Sequence, residues 1–222
     1  MKTSVQALGI IMDGNRRWAV EQGLAKTKGH EVGLDKLISC IKWCNEAGIK
    51  HVAFYAFSTE NWKRSKKEVE ALMQLLRYML TEKKQEILQE DVRVRFVGQL
   101  GKLPKQIQHL IQEVEQETKH HKKTAWVCMS YGGRAELAHA AARVSGKVTE
   151  DKLESQLWTA DMPDLDMVIR TGGNHRLSNF LLWKSAYAEL YFTKTKWPAF
   201  SKRDFTRALG WYEKNITINK GK

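Results

Sequence analysis

Residues 7–18 read ALGIIMDGNRRW, a segment typical of a buried strand that runs directly into a turn and a helix. Ala7–Met12 is an almost continuous apolar run, as expected of a parallel strand that is buried on both faces. Asp13 and Gly14 end this run, and the residues after them lead into a predicted helix. A strand, a tight turn and a helix in this order form the repeating unit of α/β proteins.

The same alternation continues along the rest of the chain. Five more short segments, rich in β-branched and aromatic residues, are predicted strands: Ile49–Phe57, Val92–Val97, Ala125–Tyr131, Leu165–Ile169 and Ala188–Phe192. Helical periodicity lies between them at 34–44, 69–80, 107–114 and 205–212. The expected fold class is therefore α/β, with a central, mostly parallel six-stranded sheet flanked by helices in a single domain over residues 1–222.

Composition limits the possible classes of function. The 222 residues include 37 Lys and Arg against 25 Asp and Glu, a net charge of +12, and the 42% of hydrophobic residues excludes wholesale disorder. No membrane-spanning run or signal peptide is visible, and three cysteines are too few for a disulfide framework, so we expect a cytoplasmic protein. The charge favours an anionic partner, either nucleic acid, an anionic membrane surface or a phosphorylated small molecule. Many lysines could equally form a solvated face.

The turn after the first strand has the residues of a phosphate site, since ligands of open α/β sheets bind at the carboxyl ends of the strands. Gly14 allows a ligand to approach the backbone closely, and the free N–H groups of a helix start attract phosphate. Arg16 and Arg17 add positive charge, and Asp13 could hold a divalent cation against a phosphate. The alternative is an ordinary turn in which an Asp or Asn caps the helix.

Two other strand ends are equally polar. Residues 58–64, STENWKR, follow the second strand, and the alternative to a functional loop is a segment that only caps the next helix. Residues 170–179, RTGGNHRLSN, follow the fifth strand. Arg170, Arg176 and Ser178 around this Gly-Gly turn suit a diphosphate, and a basic surface turn is the alternative.

Signatures of several other catalytic classes are missing. The chain has no P-loop string, and His30-Glu31 fails as a zinc motif because position 34 is Leu. Cys40 and Cys44 have the wrong spacing for a zinc knuckle. Glu189 lies in an otherwise apolar and aromatic stretch, where a carboxylate needs a metal ion or a structural arginine as its partner.

Several blocks of the chain resemble, in the same order, those of the cis-prenyltransferases, the undecaprenyl diphosphate synthase family. The blocks are IIMDGNRRWA at 10–19, GH at 29–30, YAFSTENW at 55–62, YGGR at 131–134, IRTGG at 169–173, RLSNFLLW at 176–183, YAELYF at 187–192 and WP at 197–198. They span nearly the whole chain, and their common order argues against coincidence.

The resemblance implies a homodimeric α/β fold with a hydrophobic tunnel between the sheet and the helices. It also implies Mg²⁺-dependent condensation of isopentenyl diphosphate with an allylic diphosphate, such as farnesyl diphosphate, to make a polyprenyl diphosphate with a new cis double bond and release diphosphate. Asp13 and Glu189 would be the metal-associated residues. A peripheral membrane contact is expected because the polyprenyl product must leave into a bilayer. Nucleic acid is not an expected partner.

Matching positions assign the other site residues. The allylic diphosphate loop would contain Gly14, Asn15, Arg16, Arg17 and Trp18, with Lys26 and His30 nearby. The isopentenyl diphosphate site would contain Arg170, Arg176 and Ser178. The mobile catalytic loop would contain Ser58, Glu60, Asn61, Trp62 and Arg64. Asn61 is expected near the departing proton or diphosphate, and the loop that bears Trp62 could close over the site.

The chain departs from the family pattern at several positions. Lys26 stands where an arginine is common, Ser65 where a proline is frequent, Ser130 where Asn is common and Asn174 where Glu is usual. Residues 215–222 lack the Arg-x-Gly string that in relatives reaches across the dimer towards the substrate.

Apolar residues along two predicted elements are candidates for the tunnel wall. The helix at 69–80, with Met73 and Met79, is expected to face the growing chain. Trp126 and Met129 lie on a strand expected to border the tunnel, where Trp126 would shorten the product, and Ala56 is small and permissive. The alternative is that Trp126 faces a helix layer and never meets substrate.

Two other functions remain alternatives on the sequence alone. A non-catalytic partner subunit with the same fold would be expected to have lost the Asp13 or Arg176 blocks, which this chain keeps. A basic nucleic-acid-binding domain would explain the charge of +12, but no RRM or zinc-finger pattern is present in the sequence.

Overall fold

The computed structural model describes residues 2–216. Its centre is a sheet of six strands: β1 (Ala7–Ile11), β2 (His51–Ser58), β3 (Val92–Val97), β4 (Lys123–Tyr131), β5 (Met167–Arg170) and β6 (Glu189–Phe192). The strands lie in the order β3-β4-β2-β1-β5-β6, and each neighbouring pair is parallel. The α/β prediction is confirmed, and each predicted strand end lies within two residues of the observed one.

Helices pack against one face of this sheet, and residues of the segments 158–165 and 177–181 pack against the other. The α-helices of the described range are α1 (Asn15–Glu21), α2 (Lys26–Ala47), α3 (Lys66–Leu80), α4 (Lys84–Leu88), α5 (Lys105–Thr118), α6 (Gly133–Ala141), α7 (Glu150–Glu154) and α8 (Lys202–Asn215). Short 3₁₀ turns lie at Thr59–Lys63, Leu100–Lys102 and Trp197–Ala199. The four helices expected from periodicity correspond to α2, α3, α5 and α8.

The register of the sheet brings the polar strand ends together. β1 lies between β2 and β5, and Ile11 at its end pairs with Arg170. Because the carboxyl ends of parallel strands meet at one edge of the sheet, Asp13, Ser58 and Arg170 lie at neighbouring strand ends.

Strand side chains alternate between two layers of core. The larger cluster packs Val127 and Met129 of β4 against residues of α2, α3, α5 and α8. The smaller cluster, on the other face, contains Trp126 and Cys128. The ring centre of Trp126 lies 5.3 Å from the guanidinium carbon of Arg95. The prediction that Trp126 borders a tunnel is therefore wrong, because neighbouring residues of a strand point to opposite faces and α3 covers the face of Met129.

Two glycines of α2 determine how closely α1 approaches it. A Cβ atom at Gly29 would overlap the carbonyl oxygen of Asn15, and a Cβ atom at Gly33 would overlap its side-chain oxygen. The first turn of α1 therefore rests directly on α2 at the carboxyl edge of the sheet.

Three further findings concern the cysteines, the lengths of the helices and the tail of the chain. Cys40, Cys44 and Cys128 are buried free thiols. In the range 2–216, no helix combines the length and apolar character that crossing a membrane requires. Tail residues 217–222, which contain most of the segment lacking Arg-x-Gly, lie outside the described residues.

Candidate active site

A cavity of about 1050 Å³ lies at the carboxyl edge of the sheet, between the sheet and helices α2 and α3. Polar side chains of the turns after β1, β2 and β5 line one part of it. The remaining wall is apolar and comprises Ile11, Met12, Leu34, Leu37, Ala56, Phe57, Leu72, Leu75, Leu76, Met79, Val127, Met129, Leu182 and Trp197. This cavity corresponds to the hydrophobic tunnel implied by the family resemblance, with a polar mouth and an apolar interior.

Helix α3 supplies one wall because its apolar stripe faces the sheet. Leu72, Leu76 and Met79 line the cavity, as expected. Met73 is buried on the same helix without lining the cavity. Ser65 caps α3 by accepting a hydrogen bond from the Glu68 N–H at 3.3 Å, which is a local reason for serine at this position.

The backbone around Asp13 is fixed by the turn that follows β1. Gly14 has a left-handed φ of 110°, and a Cβ atom there would lie 2.8 Å from Cβ of Lys196. The Asp13 N–H donates to Oγ1 of Thr171 at 3.0 Å, and the Thr171 hydroxyl donates to the Asp13 carbonyl at 2.8 Å. The Trp197 N–H donates to the same carbonyl at 3.0 Å. These contacts hold Asp13 at the cavity mouth.

Both carboxylate oxygens of Asp13 accept hydrogen bonds. Oδ2 accepts from Nη2 of Arg170 at 3.0 Å and from Nδ2 of Asn174 at 2.7 Å, and Oδ1 accepts from Nη2 of Arg17 at 3.2 Å. Partial burial by itself would raise the pKa of Asp13, but the Asn174 hydrogen bond and the Arg170 guanidinium outweigh it and lower that pKa. Asp13 is therefore an ionised carboxylate at neutral pH.

Arg170 connects this carboxylate to the second predicted half-site. Its side chain is buried, and its Nη1 donates to Oγ of Ser178 at 2.7 Å and to the carbonyl of Arg176. The guanidinium group of Arg170 therefore bridges Oγ of Ser178 and the carboxylate of Asp13. The backbone at Ser178 is left-handed, with φ of 52°, and the Tyr55 hydroxyl donates to its carbonyl at 3.2 Å.

The loop after β2 is a single 3₁₀ turn with its own internal support. The Ser58 N–H donates to Oδ1 of Asn61 at 3.2 Å, as part of a capping box. Nδ2 of Asn179 donates to Oε1 of Glu60 at 3.0 Å. Burial would raise the pKa of Glu60, but hydrogen bonds, the one from Asn179 foremost, lower it, so Glu60 is ionised. Ser58, Glu60 and Asn61 all line the cavity.

Trp62 does not line the cavity. Its ring packs edge-on against Phe57 with the ring centres 5.0 Å apart, and its Nε1 donates to Oγ of Ser130 at 2.8 Å. Ser130 has a left-handed φ of 49°, a conformation for which Asn is enriched. Trp62 therefore anchors the loop to the end of β4 and does not lie over the site.

His30 lies on α2 beside the turn after β1, and it lines the cavity. Burial, assisted by the positive charge of Arg64, lowers the pKa of His30 to about 4. Its ring is therefore neutral at physiological pH. Nε2 of His30 is buried and has no hydrogen-bond partner among the described residues. Depending on its tautomer, a neutral imidazole in this position can donate a hydrogen bond to a ligand or accept one from it.

Most predicted site residues meet in this cavity. Those that line it are Asp13, Gly14, Asn15, Arg16, Arg17, His30, Ser58, Glu60, Asn61, Arg64, Arg170, Arg176 and Ser178. Trp18 and Lys26 do not line it, because Trp18 lies a helical turn beyond Gly14 and Lys26 is an exposed residue at the start of α2.

Glu189 lies away from Asp13 within one chain. It is the first residue of β6 and pairs with Met167, at the amino end of β5, whereas Arg170 ends β5. Three residues of a parallel strand span roughly 10 Å. Within one chain, Glu189 and Asp13 therefore stand near opposite edges of the sheet, and the metal-associated role expected of Glu189 stays a prediction.

Several lining residues were not predicted. Asn174 bonds directly to Asp13, although the sequence shows only that it replaces a usual Glu. Tyr55, Arg134 and Asn179 also line the cavity. Tyr55, Arg134 and Asn179 each belong to a block that carries the family resemblance, and that position is the signal in the sequence that could have indicated them.

Among the described residues, Asp13 and Glu60 are the carboxylates that line this cavity. Among residues 2–216, no group of three or more His, Cys, Asp and Glu side chains could hold an ion by itself. Mg²⁺ commonly binds through one or two carboxylates together with substrate phosphates and water. Asp13, ionised and facing the cavity, fits that pattern, and the remaining ligands would come from a diphosphate.

Comparison with known protein sequences supports the same interpretation. The family model described as "Putative undecaprenyl diphosphate synthase" matches residues 11–217 of this chain. An isoprenyl transferase of Thermotoga maritima is 46% identical over 218 residues, which cover 94% of this chain and 94% of the relative. A trans,polycis-polyprenyl diphosphate synthase of Thermobifida fusca, named as (2Z,6E)-farnesyl diphosphate specific, is 44% identical over 92% of this chain and 77% of its own length.

Two solved structures share the architecture. Lavandulyl diphosphate synthase from Lavandula x intermedia, in complex with dimethylallyl diphosphate, has a TM-score of 0.91 and 30% identity, over 96% of this chain and 97% of its own. A structure described as "a probable undecaprenyl diphosphate synthase" from Campylobacter jejuni has a TM-score of 0.80 and 35% identity, over 99% of both chains.

Proposed function

This chain belongs to the cis-prenyltransferase family of undecaprenyl diphosphate synthases, and we propose that it condenses isopentenyl diphosphate with an allylic diphosphate such as farnesyl diphosphate. The carbon–oxygen bond of the allylic substrate breaks and diphosphate leaves. A carbon–carbon bond forms to the double bond of isopentenyl diphosphate, which then loses a proton to give a cis double bond.

One observation carries the proposal: a cluster of ionic groups and a large apolar cavity form one continuous site. Asp13, Arg170 and Arg176 stand at its mouth, and α3 lines its interior. A polyprenyl diphosphate has a charged head and an apolar tail, so both parts of the site have a matching part of the ligand. Burial of the tail is favourable by about 0.8 kcal/mol for each methylene group.

We assign the allylic diphosphate to the turn after β1. The N–H groups at the start of α1 and the side chains of Arg16, Arg17 and His30 would bind its oxygens. Mg²⁺, held by Asp13 and the diphosphate, would supply stabilisation of negative charge on the leaving oxygen. Positioned donors of this kind are usually the dominant contribution to catalysis.

We assign isopentenyl diphosphate to Arg170, Arg176 and Ser178. Because Arg170 bonds to both Asp13 and Ser178, the two diphosphates would lie on either side of one guanidinium group. This arrangement would bring the attacking double bond next to the allylic carbon, and such proximity lowers the barrier. Asn61, on the adjacent loop, would lie near the departing proton or diphosphate.

A single incubation tests this proposal. Pure protein with farnesyl diphosphate, labelled isopentenyl diphosphate and Mg²⁺ should give extended polyprenyl diphosphates on chromatography. Chelation with EDTA and the variant Asp13→Ala should each remove the product. A wild-type protein that yields no extended product under these conditions would contradict the proposed reaction.

We further infer a homodimer that pairs through the β6 side of the sheet. β6 is an edge strand, Leu190 within it is 37% exposed, and Tyr187 just before it is 72% exposed. An unpaired strand edge that carries exposed apolar side chains can pair with another chain. Light scattering should give twice the chain mass, and Leu190→Lys should shift it towards the monomer.

We also propose a cytoplasmic enzyme that touches membranes only peripherally. Lys63, Lys66 and Lys67 are exposed next to the loop that borders the cavity and could contact anionic lipid. Vesicles containing anionic lipid should retain more protein than neutral vesicles do. A filter-binding titration with nucleic acid over a range of salt concentrations tests the expectation that nucleic acid does not bind.

A further inference from the structure

Resting on this proposed function, we propose that Arg134 is a further binding residue for the diphosphate of isopentenyl diphosphate, and that Asn179 positions it. Arg134 is the second residue of α6 and lines the same cavity as Arg176 and Ser178.

The arginines around the cavity differ in whether they are paired with a carboxylate. Six arginines line it: Arg16, Arg17, Arg64, Arg134, Arg170 and Arg176. Four of them contact a carboxylate, either Asp13 or Glu68. Within the described residues, the guanidinium groups of Arg134 and Arg176 have no ion pair and no hydrogen bond. These two arginines are therefore available to an anionic ligand without first losing a protein partner.

Short hydrogen bonds join the start of α6, which carries Arg134, to the isopentenyl half-site. The Arg134 N–H donates to Oδ1 of Asn179 at 2.8 Å, and the Gly133 N–H donates to the Asn179 carbonyl at 2.7 Å. Asn179 directly follows Ser178, whose hydroxyl accepts from Arg170. The start of α6 is thus attached to the same turn that carries Ser178.

Local backbone features allow this attachment. Asn179 has a left-handed φ of 68°, which Asn tolerates better than most residues. A Cβ atom at Gly132 would lie 2.7 Å from Nδ2 of Asn179, so glycine is needed where the two segments meet. Nδ2 of Asn179 also donates to Glu60, so one amide side chain joins the catalytic loop, α6 and the Ser178 turn.

The chemistry of the ligand fits two free guanidinium groups. A diphosphate carries several negative charges, and its oxygens match the planar donor array of arginine. The amino end of α6 adds the partial positive charge of a helix terminus on the same side. Arg134 would therefore bind the isopentenyl diphosphate head together with Arg176.

The test compares three charge-removing variants with wild type. Arg134→Gln should raise KM for isopentenyl diphosphate about tenfold, the loss expected for one charge-assisted hydrogen bond, and leave KM for farnesyl diphosphate unchanged. Arg176→Gln is the reference for the assigned site. Arg143→Gln is the matched control, because Arg143 is exposed just beyond α6 and its guanidinium group hydrogen-bonds to His139, away from the cavity lining. Calorimetric titration with isopentenyl diphosphate should show the same order of affinities.

Further variants separate binding from folding. Thermal melting of Arg134→Gln should match wild type, because the Arg134 side chain has no partner in the described residues. Arg134→Lys keeps the charge without the planar donors and should give an intermediate KM. Asn179→Ala should raise the same KM through loss of positioning, whereas a purely structural role would lower the melting temperature and leave KM unchanged.

The outcomes distinguish this inference from the proposed function. If Arg176→Gln raises KM and Arg134→Gln behaves like Arg143→Gln, the role of Arg134 is overturned and the proposed function stands. If neither Arg134→Gln nor Arg176→Gln changes KM, the isopentenyl site itself is misassigned.

Discussion

Asp13 and Arg170 form an ion pair of 3.0 Å, yet their surroundings differ sharply: the Arg170 side chain is 5% exposed and the Asp13 side chain 27%. The arginine is part of the buried end of β5, and the carboxylate faces the cavity. A buried charge that loses its partner typically costs about 3–5 kcal/mol. The pair therefore links the stability of the sheet edge to the site at which the substrate binds.

Variants of Asp13 should separate these two contributions. Asp13→Ala leaves Arg170 without a carboxylate and should lower the free energy of unfolding by about 3 kcal/mol. Asp13→Asn keeps an oxygen acceptor and should cost less than half as much. Both should lower kcat at least ~100-fold, because the negative charge is lost. Urea unfolding and steady-state kinetics measure the two effects. An Asn variant with near-normal kcat would show that the charge is not needed.

Met79 and Met73 form a matched pair for testing the cavity wall. Both are buried on α3, but only Met79 lines the cavity. Met79 lies roughly 16 Å along the helix from Glu68, which pairs with Arg16 of the cavity lining. Met79→Ala should enlarge the inner end and give longer products, whereas Met73→Ala should leave chain length unchanged. Each should cost about 2–5 kcal/mol of stability. Identical product distributions on chromatography would contradict the placement of Met79.

Trp126 provides the opposite test. Its ring lies in the core layer away from the cavity and packs under Arg95. Trp126→Phe should lower the free energy of unfolding by about 1–2 kcal/mol and leave the product length as in wild type. Denaturant titration and product chromatography measure the two results. A change of chain length in this variant would show that the face of Trp126 communicates with the substrate.

His30 should make stability depend on pH in mild acid. Its pKa is lowered from 6.5 to about 4, chiefly by burial. The unfolded chain takes up a proton more readily between these values, so the free energy of unfolding falls as the pH drops from 6.5 towards 4. The loss of free energy of unfolding is at most about 3 kcal/mol. The stability that depends on a neutral His30 is fully present above pH 6.5. His30→Gln should reduce this slope in denaturant titrations from pH 4 to 8. Equal slopes for both proteins would argue against the shift.

The hydrogen bond between Trp62 and Ser130 should keep the catalytic loop in its position for catalysis. Trp62→Phe removes the donor and keeps the packing on Phe57, and Ser130→Ala removes the acceptor. Each should lower kcat about threefold to tenfold, the effect of one hydrogen bond, without altering chain length. The double variant should be no worse than either single one. Additive losses would mean that the two side chains act independently.

The family blocks along the chain predicted the reaction, but the sequence did not predict all the hydrogen-bond partners of the site residues. Asp13, Arg170 and Ser178 each follow a predicted strand, so their meeting at one sheet edge could be anticipated from strand order. The hydrogen bond from Asn174 to Asp13 could not be anticipated. The sequence shows that Asn replaces a usual Glu, but it does not show where the amide group points. The partners of Asn179 were equally hidden, since they lie on two distant segments of the chain.

By itself, the sequence determined the fold class and the chemical character of the site. Apolar runs of strand length, helical periodicity between them and polar residues at strand ends are local properties, and each can be read from neighbours in the chain. The tertiary structure alone decided which face of β4 borders the cavity, at which edge Glu189 stands and which arginines keep free guanidinium groups. The physical reason is that strand register and helix packing join residues far apart in sequence, and only their contacts determine where a side chain points.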